Sequence, residues 1–270
     1  MKKSLTIQQI HSHIQEAQNI LLLTHESPDI DALSSVFAFS HYLQILQKKF
    51  CIFFKDIPKE THDEILEYKK YHTDSTKILY ELYDVIIIFD SGDLLHTGIE
   101  KILLQFHKNT KIFNIDHHPT NTNFGSINLI ETDAVSTTEI IFEFLQHLNI
   151  KISKEISIYL LAGILGDTNN FTNHNTTPKS IEISAYLIKT GLNIHKIYKT
   201  IKQKKSADAI NTWGKILSRL KIITKYNIAL TVITKKDFDD LGEHQEMLNG
   251  LSNYLNNISG VKVSIVIKET

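Results

Sequence analysis

Apolar positions along this chain fall into two kinds of run. Ile20 to Leu23, Phe50 to Phe54, Asp84-Val-Ile-Ile-Ile-Phe89 and Lys111-Ile-Phe-Asn-Ile115 are short and nearly continuous. Their length fits strands buried on both faces. Between them apolar residues recur every three or four positions. Leu5, Ile7, Ile10 and Ile14 predict a helix over residues 4–18, and Ala32, Leu33, Val36, Phe37 and Phe39 another from about Ala32 to Gln47. A short helix is expected around Glu60–Tyr71 and an edge strand over Phe124 to Ile130. Strands alternating with helical patterns predict an α/β fold with a parallel, Rossmann-like sheet. Past residue 135 the period is helical, over 136–148, 154–166, 178–190 and 193–204. A linker helix is expected over 206–222. Asn227–Ile233, Leu248–Ile258 and Val261–Ile267 then read as strand, helix, strand, the start of a second, partial α/β domain.

Polar residues interrupt this pattern most sharply where strands end. Leu23 is followed by Thr24-His25-Glu-Ser-Pro-Asp29-Ile-Asp31, Phe89 by Asp90, and Ile115 by Asp116-His117-His118. In an open parallel sheet the carboxyl ends of the strands share one edge, and ligands bind in the crevice there. Three segments far apart in sequence thus deliver imidazoles and carboxylates to one place. Like charges that close repel unless a cation lies between them, and a divalent ion accounts for the cluster economically. Asp29 or Asp31 alone would equally serve as cap of the helix beginning near Ala32. Asp167 ends the apolar segment Leu160-Leu-Ala-Gly-Ile-Leu-Gly166 and is a fourth candidate. Ser136 and Glu139 have capping-box spacing, which gives Glu139 a structural role.

Composition narrows the possibilities. The 270 residues are 42% hydrophobic and 22% charged, with net charge −1, so no general field draws the chain to nucleic acid or membrane. Cys51 is the only cysteine, which excludes an intrachain disulfide and a multi-cysteine zinc or iron–sulfur site. Its apolar neighbours predict a small buried hydrophobe. Arg219 is the only arginine, so bidentate guanidinium recognition of phosphate is available at one position at most. No run has membrane-spanning length and no signal peptide is read, so a cytoplasmic protein is expected.

These residues resemble the motifs of the DHH phosphoesterases. Asp116-His117-His118 matches the motif that names the family. His25, Asp29 and Asp31, followed by Ser34-Ser35, match its first motif, Asp90 its second and Asp167 its fourth. The Gly-Ile-Leu-Gly-Asp-Thr-Asn-Asn-Phe context of Asp167 looks like the branch that degrades very short RNAs. The resemblance implies two divalent metal ions, Mn²⁺ first and Mg²⁺ or Co²⁺ as alternatives. One would bind His25, Asp29 and Asp90, and the other Asp31, Asp90, His117 and Asp167. Catalytic roles fall to His118, facing the substrate phosphate, and to Asp116, orienting its neighbours. Oxygen and imidazole donors without thiolate suit these metals.

The implied domains are a catalytic domain over 1–205, the linker helix, and an incomplete companion substrate-binding domain over 223–270. The family's companion domain carries a Gly-rich loop and a nearby Arg, and this sequence has no Gly-Gly pair. The implied activity is hydrolysis of short oligoribonucleotides, or of small nucleotides such as 3′-phosphoadenosine 5′-phosphate and linear dinucleotides. A homodimer without a membrane partner is implied as well. The alternatives are a pyrophosphatase or exopolyphosphatase with the same site, or a catalytically weak nucleotide-binding module. His174, in the polar loop after Asp167, is a further candidate for substrate contact. Trp213 is read as a packing residue, with base stacking as the alternative, and the basic run Lys199–Lys205 as a solvated face, with contact to a phosphate backbone as the alternative.

Overall fold

The computed structural model describes residues 2–57, 71–79, 82–106, 110–201, 206–242, 248, 250–255 and 257–269. The helix expected around Glu60–Tyr71 lies almost wholly outside them, as does the end of the basic run. The chain divides into two compact units, 1–203 and 204–270.

In the first unit, α1 (Lys2–Glu16) buries Ile7, Ile10 and Ile14. It leads to β1 (Asn19–Thr24), α2 (Ile30–Ile45), β2 (Lys49–Ile52), the short α3 (Thr76–Leu79), β3 (Val85–Phe89), a 3₁₀ turn (Leu95–Thr97) and α4 (Glu100–Leu103). Next come β4 (Lys111–Asp116), β5 (Ile127–Ile130), α5 (Thr137–His147), α6 (Lys154–Asp167), α7 (Pro178–Ile188) and α8 (Ile194–Ile201). The five strands form one parallel sheet in the order β2-β1-β3-β4-β5. All residues of β3 are buried, because both faces of the sheet are covered. Ile20, Leu22, Ile87 and Phe89 face α1, α2, α5 and α6. Leu21, Leu23, Ile86 and Ile88 face a smaller cluster with Phe53, Ile78, Ile99 and Leu103. Cys51 is half-buried against this second cluster, not fully enclosed.

Two glycines set how closely α6 approaches α2. A Cβ on Gly166 would lie 2.0 Å from Ile30 Cγ2, and one on Gly163 would lie 2.3 Å from both Asp31 Oδ1 and Thr138 Oγ1. Only residues without a side chain fit there.

The second unit contains α9 (Ala207–Leu217), β6 (Lys221–Ile223), β7 (Ile228–Ile233), α10 (Lys235–Leu241), α11 (Leu251–Leu255) and β8 (Val263–Lys268). The linker helix expected over 206–222 ends at Leu217, and Lys221–Ile223 pairs antiparallel with β7 instead. Ile222 and Ile223 favour a strand, and Asn227, with φ 54°, supplies the left-handed residue that the hairpin turn needs. β8 adds to β7 in parallel. Arg219 lies between α9 and β6, outside any helix. Its guanidinium donates to both oxygens of Asp237, at 2.5 and 2.7 Å, and to the carbonyl of Val232. Trp213 packs against Tyr254, with ring centroids 5.8 Å apart.

Candidate metal centre

The strand order places β1 beside β3 while their following loops diverge, so the crevice opens between them. His25 follows β1, Asp90 follows β3, and His117 and His118 follow β4. Asp90 adopts φ 53°, in the left-handed region, and its N–H donates to Ile115 O. The backbone turns sharply there, and the carboxylate is 2% exposed. Strained backbone of this kind concentrates at functional sites.

Three sets of side chains each bring their ligand atoms within 4.8 Å of one another: His25, Asp29 and Asp90; Asp31, His117 and Asp167; and Asp90, His117 and His118. His25 Nε2 lies 3.7 Å from Asp90 Oδ2. His117 Nε2 is 3.4 Å from Asp90 Oδ1 and 3.4 Å from Asp167 Oδ2. His25, Asp29, Asp31, Asp90, His117, His118 and Asp167 therefore meet in one cluster, while Asp116 is in none of the three sets and touches it through His118. His174 does not join it, being exposed in the turn after α6.

The remaining hydrogen bonds show how the donors are aimed. His25 Nδ1 donates to Glu26 O and His117 Nδ1 to Ala134 O, so both rings keep Nε2 for the cluster. His118 Nδ1 donates to Asp116 Oδ1 at 2.7 Å, and the other Asp116 oxygen accepts from Asn121 at 2.6 Å. Buried Asp116 thus orients His118. Asp29 Oδ1 accepts from Ala32 N, so this residue caps α2 and belongs to the cluster at once. Asp31, in the first turn of α2, is fully buried and accepts from Thr137 N, Thr138 N and Thr138 Oγ1 at the start of α5. Thr137 Oγ1 also donates to Asp90 Oδ1. Sequence reading did not single out these two threonines; their only signal was the Ser136-Thr137-Thr138 start of a helix. Glu139 is buried and paired with Lys179, away from the cluster, in keeping with a structural role. After Asp167 the chain takes positive φ at Asn169, Asn170 and Phe171, which ends α6.

Among the described residues no lysine or arginine forms an ion pair with a carboxylate of this cluster, whose ion pairs are with histidine. Burial, then the charges of Asp31, Asp29 and Asp90, push Asp167 up to about 10. Burial and Asp90 push Asp31 up to about 7. Burial would lower the two histidines, but Asp90 outweighs it and lifts His25 to about 9 and His117 to about 10. Burial also opposes ionisation of Asp90, yet His117 and His25 hold it below the usual carboxylate range. Protons thus stand in for positive charge. Divalent cations fit the same place: the donors are carboxylate oxygen and imidazole nitrogen, with tautomers already fixed. Beside the cluster lies a cavity of about 290 Å³, lined by His25, Asp90, Glu26, His96, His118 and Thr120 among others.

A family model described as the DHH family, N-terminal domain, matches residues 19–164. The chain belongs to the DHH family. It is 28% identical over 260 residues to the uncharacterized protein MG371 of Mycoplasma genitalium, covering 95% of this chain and 76% of that one. It is 24% identical over 263 residues to the bifunctional oligoribonuclease and PAP phosphatase NrnA of Bacillus subtilis, covering 93% and 77%. The crystal structure of an exopolyphosphatase-related protein from Bacteroides fragilis superposes with a TM-score of 0.82 at 23% identity, over 98% of this chain and 80% of that one. This DHH-family chain therefore has a DHH-type fold, and its relatives include a named oligoribonuclease and phosphatase. No described helix is long and apolar enough to cross a membrane.

Proposed function

We propose that this DHH-family protein is a two-metal phosphoesterase acting on short oligoribonucleotides and on small nucleotides such as 3′-phosphoadenosine 5′-phosphate. One observation carries the reading. Two ligand sets at the carboxyl edge of the sheet share buried Asp90, one with His25 and Asp29 and one with His117 and His118, and His117 also joins Asp31 and Asp167 in a third. The activities for which the Bacillus subtilis relative is named support the substrate class. In this assignment His25, Asp29 and Asp90 hold one cation, and Asp31, Asp90, His117 and Asp167 the other. Mn²⁺ is the first candidate. Such a pair, when bound, would supply activation of water and stabilisation of the attacking and leaving oxygens of a displacement at phosphorus.

The chain's own residues do the positioning. Glu26 O and Ala134 O fix the tautomers of His25 and His117. Thr137 and Thr138 hold Asp31 from the start of α5. His118, aimed by Asp116, lines the cavity and is placed to meet the substrate phosphate. We assign the chemistry to residues 1–205, a substrate-contacting role to 223–270, and a cytoplasmic homodimer as the working form.

A specific observation supports a second reading, pyrophosphate or polyphosphate hydrolysis. The cavity lining contains no Phe, Tyr or Trp among the described residues, so no aromatic ring there offers a base a stacking surface. The deciding experiment incubates metal-free protein with Mn²⁺ and a panel: a dinucleotide, 3′-phosphoadenosine 5′-phosphate, a cyclic dinucleotide and pyrophosphate. Hydrolysis of the dinucleotide and of the bisphosphate is expected. Release from pyrophosphate alone would favour the second reading. Two bound metals without turnover of any compound would leave a nucleotide-binding module.

A further inference from the structure

Two of the metal-cluster residues sit at the ends of one short loop, His25-Glu26-Ser27-Pro28-Asp29. The middle of that loop is conformationally costly. Ser27 has φ 50°, in the left-handed region that residues with a Cβ seldom occupy. It also precedes Pro28, which further disfavours α-type conformations for the residue before it. Local preference therefore opposes the path that brings His25 and Asp29 to face the same carboxylate, Asp90.

Asp56 counters this preference from the next strand. β1 and β2 are parallel neighbours with Leu22 opposite Ile52, so the chains leaving them emerge side by side. Asp56, four residues beyond the end of β2, grips Ser27 with both carboxylate oxygens. Ser27 N donates to Oδ1 at 2.5 Å and Ser27 Oγ to Oδ2 at 2.7 Å. Glu26 N, one residue earlier, donates to His96 O at 2.7 Å. Asp56 is exposed and belongs to none of the three ligand sets; its hydrogen bonds go to Ser27, in the middle of the loop.

We infer that Asp56 is a positioning residue for the metal-binding loop, holding Ser27 in its left-handed conformation so that His25 and Asp29 converge on Asp90. The inference rests on the two-cation reading above. It predicts an asymmetric defect. Outer partners that orient ligands change metal affinity about 10–100-fold when removed. Asp56→Ala should weaken one of two Mn²⁺ sites by about that factor. The site formed by Asp31, His117 and Asp167, which Asp56 does not touch, should stay within about threefold of its original affinity. Glycine adopts positive φ without penalty, so Ser27→Gly in the Asp56→Ala background should recover most of the lost affinity.

The test is a Mn²⁺ titration of the metal-free full chain, followed by electron paramagnetic resonance and elemental analysis, with a melting curve for each variant. Weakening of one site and its rescue by Ser27→Gly would support the assignment. Unchanged affinities in Asp56→Ala would overturn it. So would failure of Ser27→Gly to rescue. Equal weakening of both sites together with a lowered melting temperature would place Asp56 in general stability and overturn it too. Fewer than two Mn²⁺ ions in the unsubstituted protein would instead remove the two-cation reading, and the inference with it.

Discussion

Buried and half-buried aspartates occur in both units, and their surroundings could hardly differ more. Asp237 in the second unit meets both guanidinium nitrogens of Arg219 and also accepts from Thr234 N and Thr234 Oγ1. Its hydrogen bonds and charge are satisfied within the protein, and Arg219 holds it well below the usual carboxylate range. Asp31, Asp90 and Asp167 in the first unit share histidines and one another's fields. Asp31 and Asp167 are driven up, and the two nearest histidines retain protons to about 9 and 10. The first arrangement is a finished structural pair. The second is finished only when positive charge is supplied, by protons or by cations. That is the physical distinction between an aspartate kept for stability and one kept for chemistry.

The largest expected effect removes the charge both cation sites share. Asp90→Ala should abolish binding of both metals together and reduce turnover to background, as read by elemental analysis and a Mn²⁺-dependent assay. Two tightly bound ions surviving this substitution would break the bridging assignment.

The adjacent histidines sharpen the contrast between holding a metal and meeting a substrate. His117→Ala should lose metal. His118→Ala should keep both ions while its rate falls about 10²–10⁴-fold, the usual contribution of a positioned proton-transferring or phosphate-facing group. Equal metal loss in the two variants would show that His118 is a ligand too.

The third prediction concerns pH in the metal-free protein. His25, His117 and Asp167 all have folded-state values raised above their ordinary ones. Between pH 7 and 9 the folded chain thus binds more protons than the unfolded chain, so stability falls as pH rises. Asp90 runs in the opposite sense, but its window lies below about pH 4. The melting temperature of the metal-free protein should drop by roughly 5 °C or more across that interval. Mn²⁺ should remove the slope and release protons on binding, measurable by calorimetry in buffers of different ionisation enthalpy. A flat profile without metal would mean that the cluster is not proton-loaded.

The smallest effect belongs to the satisfied pair. Asp237→Ala should destabilise the second unit by about 1.5–3 kcal/mol, the range for hydrogen bonds to charged groups, with Arg219 partly exposed and therefore partly screened. Because the Asp237 value is depressed, this stability is present above about pH 4 and lost as pH falls further. Hydrogen exchange of the α10 amides in the full chain reads it. Mn²⁺ binding should not respond.

Much of the first unit was legible in the sequence because its strands are covered on both faces. Val85–Phe89 is apolar at every position and admits little but a buried strand. The candidate ligands were legible for the same reason, since polar groups that follow such strands stand out. The second unit was harder to read. Its strands are short and half-exposed, and β8 carries alternating burial with Val263, Ile265 and Ile267 exposed. A three-residue strand such as Lys221–Ile223 has too few positions to show a period, and the helical pattern before it ran on through it.

The sequence by itself determined the alternation of strands and helices, the parallel sheet, and which carboxylates and imidazoles lie at its carboxyl edge. Those properties follow from local periodicity and from where apolar runs stop. Tertiary structure alone decided the rest. It placed Thr137 and Thr138 around Asp31, some 106 residues away in sequence for the nearer pair, and required Gly163 to lack a side chain so that α6 could approach. It tied Arg219 to Asp237, and set Asp56 against Ser27 across two neighbouring strand ends. These contacts join residues whose own neighbourhoods give no sign of them. Each is fixed by chain packing, where the distance between two atoms depends on every element folded between them.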